Sequence, residues 1–384
     1  MFRPTRTVAD SRDFVVLLCR IIDLDPLIRD RRRTILFYAC FIYPFFFHSF
    51  TLYTLYYHRN DIQTFLKCIS IWGAAGQCSF KTINAYIYQK RIRKIFDMIT
   101  YKQTESENDA EIHEMYLKWA KRLSVLLKLL FYTLTLNIIF FSLYAFLGIV
   151  LGSPQFIFVL NIPGFNTDPK AGFPDYEIQL LYQLGALVIG VYEVIALDGL
   201  IAYFILSGVS MGDSIIVTIQ RMSTAVLDER TSSEDTAEAI KRIIQLHWEY
   251  LSYINNLDEM YNGMFLMQFG SFAFSGSVAM YAGRSTDYFA LYSIVLTSLF
   301  QLFFYNSLGS IIETKNQDIA FELYNTNWFY MSLSNRKKLL LMLQRAQTVK
   351  ALTVGHLAPL NLETGMSIYK TLYSYFLLLK DAFN

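Results

Sequence analysis

Seven apolar runs, each about as long as a lipid bilayer is thick, divide this sequence and limit the folds that it can adopt. A helix needs about 20 mostly apolar residues to cross the hydrocarbon core. The chain also has too little polar surface for a soluble globule of 384 residues, because 54% of its residues are hydrophobic and only 17% are charged. We therefore predict an all-α membrane protein with seven transmembrane helices. The predicted spans are residues 34–57, 63–88, 123–151, 178–206, 262–282, 288–312 and 360–379.

Lysine and arginine are concentrated on alternate connecting segments, which predicts the orientation. Positive residues accumulate on cytoplasmic loops. The rich segments are 1–33 and 89–122 with eight each, and 207–261 and 313–338 with four each; the intervening segments hold only Arg59, Lys170 and Arg284. The N-terminus is therefore predicted to be cytoplasmic, and an odd number of spans then places the C-terminus outside the cell.

Two of the cytoplasmic segments carry apolar residues at helical spacing. The polar stretch before the first stripe contains "SSED", which resembles the capping box of a helix N-terminus. Apolar stripes outside lipid need a protein surface to pack on, so a cytoplasmic helical anchor is predicted. The first stripe consists of Ile240, Ile243, Ile244, His247, Leu251 and Ile254, and the second of Leu339, Met342, Leu343, Ala346 and Val349.

Enzyme and nucleic-acid functions have no support in the sequence. "HEMYL" at residues 113–117 begins like a zinc-peptidase helix, but Leu117 stands where the second histidine is needed. The five histidines form no metal-ligand cluster, and no phosphate-binding glycine loop is found. With a net charge of +2 no nucleic-acid partner is indicated. We predict no enzyme activity, no metal and no cofactor.

Ionisable residues inside a membrane span are costly, and functional roles are common among them. Lys67, Lys81, Glu193 and Asp198 are the candidates of this kind that we single out. Lys81 and Asp198 both fall in the inner halves of their spans, so a structural ion pair between them is the favoured interpretation. The roles of Lys67 and Glu193 remain open.

The C-terminal region, residues 320–379, resembles the signature of the insect odorant receptors. The matching features are Tyr324 with Trp328, a basic turn at 336–338, "QRAQ" at 344–347, Pro359–Leu360, and "YSYF" at 373–376. Length, seven spans and a cytoplasmic N-terminus match as well. The chain resembles the variable odorant-binding subunit rather than the conserved co-receptor, because the larger second inner loop of the co-receptor is missing.

The resemblance implies an odorant-gated, non-selective cation channel in the plasma membrane of sensory neurons. In such channels a variable subunit that binds a small volatile organic ligand joins the co-receptor in a heterotetramer, and permeating cations pass through one central pore. The implied regions are a cytoplasmic N-terminal segment (1–33), a six-helix transmembrane ligand-binding bundle (34–312) with cytoplasmic helical extensions (207–261), a cytoplasmic anchor segment (313–359), and a pore-lining seventh helix with an outer tail (360–384).

Three sets of site residues follow from this resemblance together with helical spacing. The ligand set lies at suitable depth on the predicted spans and comprises Trp72, Gly76, Ser142, Ala145, Phe146, Ile149, Tyr192, Ile195, Tyr288 and Tyr292. The pore set shares one face of the last span and comprises Thr371, Ser374, Leu378 and Asp381. The assembly set comprises Trp328, Leu339 and Leu343.

Two receptor classes compete with this interpretation. A gustatory receptor has the same topology but ends in a Thr-Tyr-x-x-x-x-Gln-Phe pattern, whereas this chain has Leu378 and Leu379 where Gln-Phe would fall. A G-protein-coupled receptor has its N-terminus outside, the reverse of the charge pattern. That class also needs Asp-Arg-Tyr after the third span and Asn-Pro-x-x-Tyr in the seventh, and this sequence has neither.

Overall fold

The computed structural model describes residues 7–24, 35–228, 232–284, 288–348 and 351–382. Within these ranges the chain forms ten α-helices and one short β-hairpin. The helices are α1 (Val8–Ile21), α2 (Ile35–Tyr57), α3 (Ile62–Ile87), α4 (Gln89–Ser106), α5 (Ala110–Val150), α6 (Asp175–Ala225), α7 (Ser233–Arg284), α8 (Phe289–Tyr324), α9 (Leu333–Gln347) and α10 (Leu362–Ala382), and the strands of the hairpin are β1 (Thr353–Val354) and β2 (Ala358–Pro359).

Each of the seven predicted spans coincides with a helix: α2, α3, α5, α6, α7, α8 and α10. Three stretches of the described chain are long and apolar enough to cross a membrane by those criteria alone, at Ala110–Val150, Asp175–Ala225 and Ala290–Tyr330. The all-helical class is thus confirmed. Seven crossings and the side on which each terminus lies stay predictions.

Local sequence fixes where several helices begin. Asp61 caps α3 by accepting hydrogen bonds from the backbone N–H groups of Gln63 and Thr64 at 3.2 and 3.3 Å. At the start of α7, the Asp235 carboxylate accepts a hydrogen bond from the Ser232 backbone N–H at 3.0 Å. The Ser232 hydroxyl in turn accepts one from the Asp235 backbone N–H at 3.1 Å. The capping box expected at "SSED" is therefore present.

The predicted cytoplasmic extensions are continuous helices. The 51 residues of α6 span about 75 Å at 1.5 Å per residue, more than twice the ~30 Å hydrocarbon core. Helix α7, with 52 residues, is equally long. Both therefore continue well beyond any bilayer that the bundle crosses.

Helix α6 forms the centre of the molecule. Every residue from Glu193 to Gly212 is buried, because α1, α3, α5, α7 and α8 all pack against this helix. A helix that is apolar on all sides needs such complete cover. The polar residues within the buried stretch must find partners inside the protein.

The long segment between α5 and α6 packs as an ordered cover over one end of the bundle. Ile157 and Leu160 are buried. The backbone N–H of Asn161 donates to the Thr54 hydroxyl at 2.8 Å, and the Tyr288 hydroxyl donates to the Ile157 carbonyl at 2.6 Å. This segment therefore forms a packed lid.

Candidate functional site

A cavity of about 200 Å³ lies among α2, α3, α5, α6 and α8. Small residues on facing helices, such as Ala75 on α3 and Gly190 on α6, leave the space unfilled. Its walls are mostly apolar and include Phe47, Phe141 and Phe158, the last from the lid. The volume is below the roughly 300–1,000 Å³ of sites for drug-sized ligands, so the cavity suits a small apolar molecule.

The polar groups in the cavity are few, and they differ in whether their hydrogen-bonding atoms have partners. Asn137 accepts a hydrogen bond from the Ser293 hydroxyl at 2.5 Å and donates to the Thr133 carbonyl at 2.9 Å. The Nε2 atom of His48 lies 2.8 Å from the Ser79 hydroxyl, while Nδ1 has no partner among the described residues. Glu193 is fully buried, and neither of its oxygens makes a hydrogen bond of normal geometry within the described chain.

A buried ionic network borders the cavity on the side of Gln301. Lys81 Nζ lies 2.6 Å from Asp198 Oδ1, and both side chains are almost completely buried. Tyr305 donates its hydroxyl to the same carboxylate at 2.5 Å, and Gln301 donates its amide at 3.0 Å. The predicted pairing of Lys81 with Asp198 is confirmed, and the network ties α3, α6 and α8 together.

None of the ten predicted ligand residues is among the described residues that line this cavity. Many of the lining residues are their immediate neighbours in sequence, including Ile71, Gln77, Phe141 and Val191. The ten residues differ in burial. Four are exposed on the bundle surface: Trp72, Phe146, Ile149 and Tyr292. Gly76, Ser142, Tyr192 and Tyr288 are half-buried, and Ala145 and Ile195 are buried. A direct contact between these ten side chains and a ligand stays a prediction.

Two of the ten side chains do lie close to the cavity wall. Ala145 packs in one cluster with Phe141 and Ala290, which line the cavity, and Tyr288 packs against that cluster. These residues support the end of the cavity that is covered by the lid.

Sequence reasoning missed the polar residues of the cavity other than Glu193. His48, Gln77 and Asn137 each stand inside a long apolar run. Polar side chains within membrane spans usually face the bundle interior. That rule, applied to neutral polar residues as well as charged ones, would have identified all three.

Helix α10 packs on α7 and α8 through one face and leaves the rest uncovered. All four predicted pore residues are exposed. Thr371 and Leu378 border a groove between α7 and α10, whereas Ser374 and Asp381 do not. Their exposure leaves all four side chains able to face a pore.

The start of α10 is held tightly by α8. The Leu362 N–H donates to the Ser310 hydroxyl at 2.9 Å, and the Asn361 amide donates to the Glu313 carboxylate at 3.0 Å. The backbone of Leu360 lies so close to Gly309 that a Cβ at that glycine would be 2.7 Å from the Leu360 carbonyl carbon and would overlap its oxygen. The last helix therefore begins at a fixed point on α8.

The predicted anchor helix, α9, packs on α7 and α8 of its own chain. Leu339 is 5% exposed and belongs to the main core, and Leu343 is half-buried. The stripe on α7 is likewise covered within the chain at Ile240, Ile243 and Ile254. Of the predicted assembly residues, Trp328 is the most exposed, at 42%. Val349 lies outside the described residues.

The outward side of α9 exposes two adjacent leucines among basic and polar residues. Leu340 and Leu341 are 64% and 67% exposed, and Trp248 on the neighbouring α7 is 70% exposed. Beneath this face, burial and, to a smaller extent, the charge of Arg345 lower the pKa of His247 to about 4. The exposed leucines are better placed than Leu339 for contact with another subunit.

Taken together, these features define an all-helical protein with helices apolar enough to cross a membrane and with a mostly apolar internal cavity. The model of the 7tm Odorant receptor family matches residues 61–373. The structure of the insect olfactory receptor OR5 from Machilis hrabei in complex with eugenol has the same fold, with a TM-score of 0.76, 13% identity, and coverage of 98% of this chain and 99% of that chain.

Relatives of known sequence agree with this assignment. Odorant receptor 10 from Aedes albopictus is 26% identical over 250 residues, which cover 64% of this chain and 64% of that receptor. Odorant receptor Or2 from Anopheles gambiae is 25% identical over 150 residues, which cover 38% of this chain and 39% of that receptor. The matches thus span less than two thirds of either relative. The chain belongs to the insect odorant receptor family, as the C-terminal signature indicated.

Proposed function

We propose that this chain is the ligand-binding subunit of an odorant-gated, non-selective cation channel. The observation that carries the proposal is the small, largely apolar cavity inside a bundle with the odorant receptor fold. The complex of OR5 from Machilis hrabei with eugenol supports a small organic molecule as the ligand class. A volatile ligand in this cavity would touch α2, α3, α5, α6 and α8 at once, and its binding could therefore shift their packing.

The conducting path belongs to α10 in this proposal. The helix exposes Ser374, Leu378 and Asp381. Four such helices around an axis would combine hydroxyls, an apolar constriction and an acidic ring, which together can gate and attract cations. Because α10 starts at a fixed point on α8, and α8 also lines the cavity, a change in cavity packing has a direct mechanical route to the pore helix.

Assembly and orientation complete the proposal. Seven helices cross the plasma membrane of a sensory neuron, with the N-terminus inside and the C-terminus outside. The chain joins the conserved co-receptor in a heterotetramer, with contacts through the cytoplasmic helices. The exposed Leu340 and Leu341 of α9 support this assignment, since apolar side chains outside lipid favour association through exclusion of water.

The experiment is to fill the cavity and record ligand-evoked current. Cells expressing the chain with the co-receptor are tested against a panel of volatiles, and the best ligand is applied to Ala75→Phe, which adds a ring to the cavity. Leu143→Phe is the control, because Leu143 is 51% exposed on the outside of α5. We expect Ala75→Phe to lose the response while surface labelling and the Leu143→Phe response stay normal. A normal dose–response in Ala75→Phe would refute this cavity as the ligand site.

A further inference from the structure

Among the polar groups of the cavity, Glu193 stands apart. Its side chain is 0% exposed and lines the cavity, and neither carboxylate oxygen has a hydrogen-bond partner in the described part of the chain. The Cys40 thiol and the Thr82 hydroxyl are its polar neighbours, and neither is a cation. An ionised carboxylate placed in low dielectric without a counter-ion is strongly unfavourable. A cationic ligand would supply that counter-ion.

The nearby lysine cannot serve as that counter-ion. Lys81 is committed to Asp198 at 2.6 Å, and the same aspartate also receives Tyr305 and Gln301. No described lysine, arginine or histidine lies within ion-pair distance of Glu193, which takes part in none of the described ion pairs. Helix α6 thus carries two buried acids five residues apart. Asp198 accepts from three donors, one of them a lysine, whereas Glu193 has no cationic partner among the described residues.

A second unsatisfied group faces the same cavity. His48 is anchored through Nε2 to Ser79 at 2.8 Å, and its Nδ1 is buried without a partner in the described ranges. When Nε2 donates its proton to the Ser79 oxygen, Nδ1 is a lone-pair acceptor. With that tautomer the cavity offers two acceptors that ligand N–H groups can use.

Building on the channel function proposed above, we propose that the cavity is selective for small amines, which it binds as the ammonium ion with Glu193 as counter-ion and His48 as a second acceptor. Phe47, Phe141 and Phe158 would enclose the hydrocarbon part, and their ring faces favour a nearby cation. An alcohol or ester of the same shape would fill the cavity equally well but leave the carboxylate unpaired.

The test uses four ligands of similar size: 2-phenylethylamine, 2-phenylethanol, acetophenone and ethylbenzene. They are applied to cells expressing the chain with the co-receptor, and the concentration for half-activation is measured. We expect the amine to be about tenfold or more potent than the alcohol, because hydrogen bonds to charged groups are the stronger ones. Glu193→Gln should raise the half-activating concentration of the amine about tenfold or more. It should leave the half-activating concentration of the alcohol within about twofold of the wild-type value.

Glu177→Gln is the matched control, since it removes an exposed carboxylate from the outer end of the same helix and should change neither ligand. Equal potency of amine and alcohol, or an amine response unaffected by Glu193→Gln, would overturn amine selectivity while leaving the channel function intact. A Glu193→Gln effect confined to acetophenone would also overturn it, and would make the residue a protonated donor to carbonyl ligands.

Thermal unfolding of the purified wild-type chain provides a readout that needs neither current nor a variant. The amine should raise the melting temperature more than the alcohol does at equal concentration; equal shifts, or no shift with the amine, would overturn the proposal. If no ligand evokes current but the amine still stabilises the chain selectively, the channel function fails and the amine site stands.

Discussion

Replacing Gly309 with alanine should detach the start of the last helix from α8. Gly309 is buried in α8, and a Cβ there would lie 2.7 Å from the Leu360 carbonyl carbon, where ordinary contacts begin at 3.4 Å. Because the obstacle is backbone, it cannot rotate away as a flexible side chain would. The segment leading into α10 must therefore move by at least about 0.7 Å, the difference between 3.4 and 2.7 Å.

That displacement stretches the two hydrogen bonds that fix α10, from Leu362 to Ser310 at 2.9 Å and from Asn361 to Glu313 at 3.0 Å. Losing both costs about 2–4 kcal/mol, since one is neutral and the other is to a charged group, and overpacking adds about 1–3 kcal/mol. Alanine regains about 1 kcal/mol of helix propensity. The free energy of unfolding should therefore fall by about 2–6 kcal/mol.

The assay is thermal unfolding of the detergent-purified chain, with Gly263→Ala as the matched control. Gly263 lies in α7, and a Cβ at this position would meet no described atom within 4 Å, so alanine there should stabilise the chain by up to about 1 kcal/mol. Gly309→Ala should melt several degrees below wild type and Gly263→Ala at or above it. If both variants have the same melting temperature, Leu360 does not lie as close to α8 as described here.

Three further predictions concern the proposed pore residue Asp381, the exposed leucines of α9 and the buried histidine of α7. Asp381→Lys should lower inward cation current most at low ionic strength, because salt screens such charges over about 10 Å at 0.1 M; unchanged conductance at low salt would remove Asp381 from the pore. Leu340→Glu with Leu341→Glu should abolish co-purification with the co-receptor without lowering the melting temperature, because both side chains are exposed; retained assembly would place the subunit contact elsewhere. Burial lowers the pKa of His247 from 6.5 to about 4, so the unfolded chain binds the proton first, and stability should fall as pH drops from about 6.5 to about 4. His247→Leu should flatten that part of the melting-temperature profile, and an unchanged slope would assign the pH dependence to other groups.

The helical architecture was predictable because length and apolarity are read directly from sequence. The Lys81–Asp198 pair was predictable for a related reason: two opposite charges at matching depth in apolar spans have few alternatives to each other. The capping box at Ser232 followed from local chemistry alone.

The direction in which each side chain points was much harder to predict. Spans such as α6 and α8 are apolar on nearly every side, so no polar face marks which way they are turned. Successive residues differ by about 100° around a helix with 3.6 residues per turn. An error of one position therefore exchanges the cavity-lining Phe141 for Ser142, or Ile71 for the exposed Trp72.

Helix α9 shows a second limit of prediction from sequence. The stripe through Leu339 correctly predicted a buried face, but burial alone does not say whether the partner belongs to the same chain. Here α7 and α8 cover it, and the adjacent leucines remain exposed. Distinguishing the two needs the positions of long neighbouring helices, which sequence spacing does not provide.

The most direct test of the channel proposal is recording from membrane patches excised from cells that express the chain with the co-receptor. Excision into solution without nucleotides removes the soluble components on which G-protein signalling depends. The proposal predicts that a ligand from the panel evokes unitary cation currents in such patches, and that Ala75→Phe abolishes them. Currents that occur only in intact cells, or only when GTP is supplied, would contradict the claim that ligand binding and the pore belong to one protein complex.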